Sequence, residues 1–327
     1  MPSQTAEPRH AASHDAPPEI PSRRGLIAGI LVLLAVAALV AGLAVTGRQP
    51  TAGNTPVPPS TSDSPSTSDP PSTSDSPTAS DRPRESGVPQ RVLFQENFDG
   101  AQLDRAVWNT CHWWDDRGCT IDSNNEMEWY TPEQVSVSGG ALHLTAAEVE
   151  TSGSNGRSYP FRSGMVTTGP RFQDGPSKFA FTYGSVEARL LLPAGRGLWP
   201  AFWMLPATSQ SLPEIDILEV IGQNPSELLM HLHPQDGEEA PGKRYRLPGA
   251  NFAEAWHTLR LDWAPGHLAY FVDGRQVWQL EGEQVPAEPM YLVFNLAVGG
   301  AYPGEPDEST RFPATFAIDY VRVTRDR

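Results

Sequence analysis

Positive charge, cysteine and long helical patterns are all scarce in this sequence. Its 327 residues carry 24 Lys and Arg against 39 Asp and Glu, a formal net charge of −15. Nucleic-acid binding needs a basic surface for the phosphates, so this balance argues against a nucleic-acid partner. Only two cysteines are present, so disulfides are not what builds the fold. In the C-terminal three quarters no segment keeps a helical period of apolar residues, which argues against a helical domain.

A single long apolar run stands near the N-terminus, GLIAGILVLLAVAALVAGLAV. About 20 apolar residues suffice to cross a bilayer as a helix, and Arg23 and Arg24 come directly before this run. By the positive-inside rule we expect a cytoplasmic tail over residues 1–24 and a transmembrane signal anchor over 25–47. This makes a single-pass protein of the cell membrane with an extracellular C-terminal part. The alternative is a signal peptide cleaved after Ala44, which would give a secreted protein.

The next segment, residues 48–87, has almost no apolar content. The unit S-T-S-D-x-P recurs in it, and this composition cannot offset the entropy of ordering the chain. We expect a disordered linker rich in Ser, Thr, Pro and Asp, followed by a folded domain over 88–327.

Short β-rich runs separated by Gly, Pro and Asp fill this domain. QVSVSGGALHLTA reads as a hairpin that turns at Gly139 and Gly140, and SVEARLLLP alternates apolar and polar residues. Pro265–Gly266 and Asp273–Gly274 give two further turn signals between strand-like runs. Roughly 240 residues of this pattern predict one large all-β domain, a two-sheet sandwich or jelly roll.

The two cysteines, Cys111 and Cys119, bracket the short segment HWWDDRG. In an exported protein we expect them to form a disulfide that closes a surface loop, and the alternative is two free thiols. His112 beside Cys111 does not complete a recognisable zinc pattern, because a tetrahedral site would lack its other ligands.

The stretch LPEIDILEVIG breaks the alternation of a strand. Glu214 and Asp216 share one face, whereas Glu219 would point to the opposite face, into the core. A buried unpaired carboxylate is costly, and one extra residue near Ile217 and Leu218, a β-bulge, avoids that cost. The bulge returns Glu219 to the face of the other acids and keeps the aliphatic residues in the core.

Three acids this close can take different protonation states, because like charges raise one pKa relative to another. Hydrolysis of a glycosidic bond by a retaining route needs this: a carboxylate nucleophile and a carboxylic acid about 5 Å apart. The bare pattern is more often the charged solvent face of an amphipathic strand. Trp199 and Trp203, just upstream in GRGLWPAFWMLP, favour the glycosidase, since aromatic rings stack on the apolar faces of sugars.

The segment EIDILEVIG preceded by GLWPAFWMLP resembles the active-site region of glycoside hydrolase family 16, most closely the laminarinase-like branch of endo-1,3-β-glucanases with a bulged E-I-D-x-x-E motif. The segments SNNEMEWYT, FRSGMVTT, AWHTLRLDW, YFVDGRQVW, MYLVFNLAVGG and IDYVRV resemble that branch in the same order. The resemblance therefore covers the whole predicted domain. It implies a two-sheet, concanavalin A-like jelly roll with a concave substrate cleft.

Carried over by position, the resemblance makes Glu214 the nucleophile and Glu219 the general acid/base of a retaining double displacement. Asp216 would hydrogen-bond the nucleophile. It implies no catalytic cofactor, a β-glucan substrate and a monomer. Further residues would contact the sugar in the cleft, and these are Trp199, Trp203, Asn125, Glu126, Arg162 and His233.

Many members of the family also bind a structural calcium. The matching positions are Glu96, the carbonyl of Gly140 and Asp319, and hard oxygen ligands of this kind suit Ca²⁺. The chain departs from the family pattern at Met165, Met230 and His231, where polar or small polar residues are common. These departures bear on substrate preference rather than on the reaction.

Three functions fit the sequence. The first is a cell-surface endo-1,3-β-glucanase. The second is a family enzyme for another polymer, such as a mixed-linkage glucan or a galactan, or a transglycosylase. The third is a non-catalytic β-glucan receptor, although a pure binder has no need of three clustered acids.

Overall fold

The computed structural model describes residues 90–113, 119–208, 210–238 and 241–326. The predicted cytoplasmic tail, signal anchor and linker, residues 1–24, 25–47 and 48–87, lie outside the described residues. Within the described ranges, no helix is long and apolar enough to span a bilayer.

The described secondary structure is almost entirely β-strand. Two single-turn 3-10 helices cover Asp122–Asn124 and Pro132–Gln134. The strands, in chain order, are β1 Gln90–Glu96, β2 Glu128–Tyr130, β3 Val135–Ser138, β4 Ala141–Ala146, β5 Thr151–Ser152, β6 Ser158–Tyr159, β7 Phe161–Ser163, β8 Met165–Thr167, β9 Gly184–Leu191, β10 Leu198–Pro206, β11 Glu214–Glu219, β12 Glu227–His233, β13 Gly242–Arg246, β14 His257–Ala264, β15 His267–Val272, β16 Arg275–Glu281, β17 Met290–Val298 and β18 Ala314–Asp326.

Two large antiparallel sheets share one hydrophobic core. The eight-stranded sheet has the order β16-β15-β14-β9-β18-β4-β3, with β1 also paired to β18, and the six-stranded sheet has the order β13-β12-β11-β10-β17-β8. The core joins Leu190 and Leu261 of the first sheet to Phe202 and Phe294 of the second. The predicted all-β two-sheet sandwich is therefore confirmed. Parallel β2–β7 and antiparallel β5–β6 form two small additional sheets.

Local patterns in the sequence predict the strands of the larger sheet well. Strand β9 buries Val186, Ala188 and Leu190 and leaves the residues between them partly exposed. Strands β3 and β4 form the predicted hairpin, whose turn residues Gly139 and Gly140 both have positive φ angles. Glycine adopts positive φ angles at little energetic cost, so these two residues allow the chain to reverse tightly between the strands.

The outer face of the six-stranded sheet is divided into an apolar half and a polar half. Strands β10 and β17 are buried on both faces, because a second apolar cluster covers the side away from the core. That cluster contains Tyr130, Met165, Ala201, Trp203, Leu205, Tyr291 and Val293. The neighbouring strands β11 and β12 instead present acidic and histidine side chains on this outer face. The fold thus leaves a polar surface beside an aromatic one.

The stacked pair Phe202–Phe294 gives a direct test of this core. The ring centroids are 4.1 Å apart and the planes lie 6° from parallel. We predict that Phe202→Ala lowers the free energy of unfolding by about 3–5 kcal/mol, because it removes buried area and leaves a cavity. Phe172→Ala is the matched control, since Phe172 is 61% exposed, and should change it by less than about 0.5 kcal/mol. Denaturant unfolding measures both, and equal effects would contradict this packing.

Candidate active site

A bulge in β11 brings three carboxylates to one face. The pairing of β11 with β10 skips Ile217, because Leu218 and Asp216 pair with consecutive residues of β10. Ile217 and Leu218 are both buried in the core, and the side chains alternate again after them. Glu219 therefore returns to the face of Glu214 and Asp216. The predicted bulge is confirmed, and it lies where a regular strand would have buried Glu219.

The three acids are largely removed from water. Asp216 is 3% exposed and Glu219 is 8% exposed, while Glu214 is half-buried. Burial, and next the charge of Asp216, raises the pKa of Glu214 well above its ordinary value. Burial and the charge of Asp216 also raise the pKa of Glu219, although the hydrogen bond with His231 opposes the shift. The cluster therefore keeps protons at a pH where isolated carboxyls would be ionised.

Two histidines of β12 stand against these acids. His233 Nε2 lies 3.2 Å from Oδ2 of Asp216. His231 Nδ1 lies 2.7 Å from Oε2 of Glu219 and 4.0 Å from Oδ2 of Asp216. The ring that contacts Glu219 is thus that of His231, whereas the resemblance implied only His233 as a site residue. The sequence does contain a pattern that indicates His231: it is two residues from His233 on one strand, so the two side chains share a face.

The acids determine the charge of both imidazoles. Burial lowers the pKa of His233, but contact with Asp216 and the charges of Glu214 and Glu219 outweigh it and raise the pKa to about 9. Burial also lowers the pKa of His231, and the hydrogen bond with Glu219 again leaves it above the ordinary value. Two positive charges consequently offset part of the negative charge of the cluster.

Trp199 and Trp203 lie on the acid face, as predicted, but in different environments. Trp203 pairs with Asp216 on the neighbouring strand and is 6% exposed. Its Nε1 donates a hydrogen bond to Oδ1 of Asn295 at 2.8 Å. Trp199 is half-buried and packs edge-on against Tyr302, with ring centroids 5.3 Å apart. Trp199 is the better placed of the two to stack on a sugar.

Tyr302 also lies close enough to the acids to feel the charge of Glu219. The sequence did not indicate this residue. Burial, and then the charge of Glu219, raises its pKa to about 12. Its phenol therefore stays protonated and can act as a hydrogen-bond donor. The segment NLAVGG, which directly precedes Tyr302, resembles the family. However, no local pattern in the sequence indicates that the loop after this segment lies beside the acids.

Glu126 is buried in a network of hydrogen bonds. It is 5% exposed, and its carboxylate accepts hydrogen bonds from the Ile121 amide, Asn124 Nδ2 and the Tyr130 hydroxyl. Asn295 Nδ2 donates to the same hydroxyl at 3.0 Å. Because Asn295 also accepts a hydrogen bond from Trp203, a chain of hydrogen bonds links Glu126 to Trp203. The contact of Glu126 with substrate stays a prediction.

Glu128 forms a buried carboxyl pair with Glu126. Glu128 is 0% exposed, and its Oε2 accepts a hydrogen bond from the Val298 amide at 2.8 Å. Burial, and then the charge of Glu126, raises the pKa of Glu128 well above its ordinary value. Burial likewise raises the pKa of Glu126. The pair therefore retains a proton, which lets one carboxyl donate to the other.

The structure does not bring Asn125 and Arg162 into described contact with the acids. Asn125 is exposed, with a φ of 55° at the end of the first 3-10 helix. Arg162 is half-buried on β7, where its backbone exchanges hydrogen bonds with Ala147. Its Nε is buried without a hydrogen-bond partner. The assignment of both residues to substrate binding stays a prediction.

Cys111 and Cys119 form the predicted disulfide, with Cα atoms 4.8 Å apart. His112, next to Cys111, packs its ring between Tyr130 and Trp203, at centroid distances of 5.9 and 6.0 Å. Burial lowers the pKa of His112 to about 3, so the ring is neutral. The disulfide thus fixes the start of a segment that packs against the aromatic half of the face.

The predicted calcium ligands are placed near one another by strand pairing, since Glu96 pairs with Val321, two residues from Asp319. However, Asp319 is 2% exposed and forms an ion pair with Arg189 at 3.0 Å. Glu96 accepts a hydrogen bond from the Phe98 amide. The guanidinium of Arg189 repels a cation at the same carboxylate. The residues in this arrangement do not fit a calcium site. Calcium binding by Glu96, Gly140 and Asp319 stays a prediction.

The buried pair predicts how stability depends on pH. The folded state holds a proton on Glu128 that the unfolded chain releases near the ordinary pKa of 4.5. Wild type therefore loses stability as pH rises from that value towards the raised folded pKa. Glu128→Gln keeps an acceptor for Val298 and a donor for Glu126, and it removes this titration. We predict that its free energy of unfolding relative to wild type increases between about pH 4 and about pH 8.

Urea unfolding at the two pH values measures this difference. Glu133→Gln serves as the control, because Glu133 is exposed and its substitution should give a difference that does not change with pH. A pH-independent difference for Glu128→Gln would show that the pair does not hold the proton.

Comparison with known proteins places this geometry in a family. The model for glycosyl hydrolases family 16 matches residues 121–322. The endo-1,3-1,4-β-glycanase ExsH of Rhizobium meliloti is 30% identical over 244 residues, which are 70% of this chain and 50% of that protein. The chain thus spans about half the length of this curated relative.

Solved structures match more completely. An endo-β-1,3-glucanase from Pyrococcus furiosus aligns with a TM-score of 0.66 and 30% identity, covering 74% of this chain and 96% of that one. The catalytic domain of an endo-1,3-β-glucanase (laminarinase) from Thermotoga petrophila aligns with a TM-score of 0.65 and 31% identity, covering 73% and 99%. With the family model covering well over half of the chain, this protein belongs to glycosyl hydrolase family 16.

Proposed function

We propose that this protein is a retaining glycoside hydrolase that cleaves internal 1,3-β-glucosidic bonds of laminarin-like β-glucans. The observation that carries the proposal is the bulge at Ile217, which brings Glu214, Asp216 and Glu219 to one face. A solvent-facing acidic strand would not need this irregularity, and it would leave its carboxylates hydrated. Here Asp216 and Glu219 are buried and Glu214 is half-buried, and the charge of Asp216 acts on both glutamates.

In the first step Glu214 attacks the anomeric carbon while Glu219 gives its proton to the departing glycosidic oxygen. The C–O bond to the leaving sugar breaks and a covalent glycosyl-enzyme forms. In the second step Glu219, now ionised, takes a proton from water, and the water oxygen displaces Glu214. Two inversions at the same carbon retain its configuration, and no cofactor takes part.

The electrostatics of the site raise the pKa of both glutamates, and the charge of His233 opposes the shift at each. The raised pKa of Glu219 favours the protonated form that a general acid needs. Glu214 has to be ionised to attack, and burial opposes this, but the charge of His233 favours the carboxylate. Asp216 lies between the two glutamates and contacts His233, so it links the nucleophile to the nearest positive charge.

The choice of a 1,3-β-glucan rests on the relatives. Both solved structures carry that specificity in their names, whereas ExsH is named for 1,3-1,4 linkages. Mixed-linkage glucan is therefore the second candidate substrate, and another polymer such as a galactan, or transglycosylation, is a further alternative. Trp199, half-buried beside the acids, supplies an aromatic surface for any of these sugars.

We predict that Glu214→Gln and Glu219→Gln each lower the release of reducing sugar from laminarin by at least about 10²–10⁴-fold, the usual contribution of a positioned acid or base. Glu281→Gln is the control. Glu281 is exposed at the edge strand β16 of the other sheet, so its substitution should leave the rate unchanged. Parallel assays on mixed-linkage glucan and galactan, with analysis of product length, identify the polymer and distinguish internal from terminal cleavage.

Azide distinguishes the two glutamate roles. It should rescue Glu219→Ala with formation of a β-glucosyl azide and Glu214→Ala with formation of an α-glucosyl azide, because only the first still forms the covalent intermediate. Wild-type protein that binds laminarin and never cleaves any of the three polymers would make the domain a receptor and end this proposal.

We infer from residues 25–47 that the enzyme is anchored in the cell membrane with its catalytic domain outside, and we propose separately that it is a monomer. Cell fractionation tests the location: we predict that the full chain sediments with membranes and resists extraction by high salt, since an apolar helix is not held by charge. Activity recovered only in the culture medium would instead establish the cleaved signal peptide.

A further inference from the structure

The acid face contains a second set of chemical groups that the hydrolytic mechanism does not require. Two imidazoles and one carboxylate converge there: His231, His233 and Asp216 each offer one ligand atom, and these three atoms all lie within 4.8 Å of one another. Two nitrogen ligands and one oxygen ligand form a donor set that transition metals prefer, whereas Ca²⁺ and Mg²⁺ prefer oxygen alone.

The buried Oδ2 of Asp216 forms an ion pair with His233 but makes no hydrogen bond of regular geometry. Burying a carboxylate oxygen without a hydrogen bond is costly, and the nearest described nitrogens are those of His233, at 3.2 Å, and His231, at 4.0 Å. A cation placed among the three atoms would satisfy it.

The distances suit a tetrahedral ion after a small movement. Two ligands bound to zinc at about 2.0–2.1 Å lie about 3.3 Å apart. The contact of His233 with Asp216, at 3.2 Å, already has this spacing. The contact of His231 with Asp216, at 4.0 Å, has to shorten by about 0.7 Å, and the distance between the two imidazole ligand atoms, at most 4.8 Å, has to shorten to the same spacing. A rotation of the imidazole about its side-chain bonds accomplishes this.

The strands hold the ligands in place. Asp216 pairs directly with His231 on β12, and both histidines project from the same face of that strand. The neighbouring strand β13 approaches the ring of His231 closely at Gly242, where a Cβ atom would meet its Cδ2 at 2.3 Å. Sites built on strands are more rigid than sites on loops, so little ordering is needed on binding.

We propose that Asp216, His231 and His233 bind a divalent transition metal ion of the zinc class and that the bound ion blocks hydrolysis. Glu219, 2.7 Å from His231 Nδ1, is displaced from this nitrogen or becomes the fourth ligand. In either arrangement the ion occupies the space beside the proposed acid/base and neutralises acids that the reaction needs. The metal-binding part rests on geometry alone, and the blocking part rests on the proposed function.

Isothermal titration of the full chain with Zn²⁺, and visible absorption with Co²⁺, test the site without any substrate. We expect one Zn²⁺ whose affinity falls at least about tenfold in His231→Thr and in His233→Asn, because even loss of a residue that only supports a metal ligand costs that much. His267→Asn, on the first residue of β15 in the other sheet, is the matched histidine control and should bind as wild type does. Near-ultraviolet circular dichroism of the tryptophans shows that each variant is folded.

Cobalt bound at this site should show the intense visible absorption of four-coordinate Co²⁺. Zinc that binds equally well to all variants, or cobalt with only the weak spectrum of the hydrated ion, would overturn the site.

With Zn²⁺ at about a hundred times its Kd, about 1% of sites stay free, so laminarin cleavage should fall about a hundredfold and recover with chelator. Stoichiometric zinc without inhibition would overturn the blocking role, whereas metal-free protein that cleaves no glycan would overturn only the proposed function.

Discussion

The active face depends on one extra residue in one strand. A regular β11 would have to place either Glu219 or its aliphatic neighbours on the wrong side, because successive side chains of a strand alternate. The bulge at Ile217 avoids this, because Ile217 and Leu218 both point into the core and the acids on either side of them point outward together. The core and the catalytic surface are thus set by the same irregularity, and neither can be changed without the other.

The second constraint is electrostatic. Three carboxylates on a face with little water would repel one another, and the structure offsets this in two ways. Histidines on β12 bring positive charge to Asp216 and Glu219, and raised pKa values let the glutamates hold protons. On the apolar half of the same face, the Glu126–Glu128 pair uses a retained proton in the same manner, and it links through Tyr130 and Asn295 to Trp203.

The sequence predicts the features that a single strand or a single turn determines. The bulge followed from the spacing of Glu214, Asp216 and Glu219, and the hairpin at Gly139 followed from local turn residues. The environment of Glu126 could not be predicted, because its partners come from a turn, from β2 and, through Asn295, from β17. Tyr302 was missed for the same reason. His231 had a local signal, its spacing from His233, but only the register of β12 on β11 places it against Glu219.

The features that make the face suitable for proton transfer also make it suitable for metal ions. A general acid needs a carboxyl surrounded by groups that can accept or donate a proton, and unprotonated imidazole and carboxylate are also good ligands for zinc. A small polar residue in place of His231 would leave the retaining mechanism complete, because Glu219 and Glu214 carry it. His231 therefore adds something other than the basic reaction: a strong hydrogen bond to the acid/base and a third ligand atom beside Asp216 and His233. Because the hydrogen bond needs a proton on Nδ1 and a metal ion needs its lone pair, a metal ion and the hydrogen bond to Glu219 exclude each other at this nitrogen.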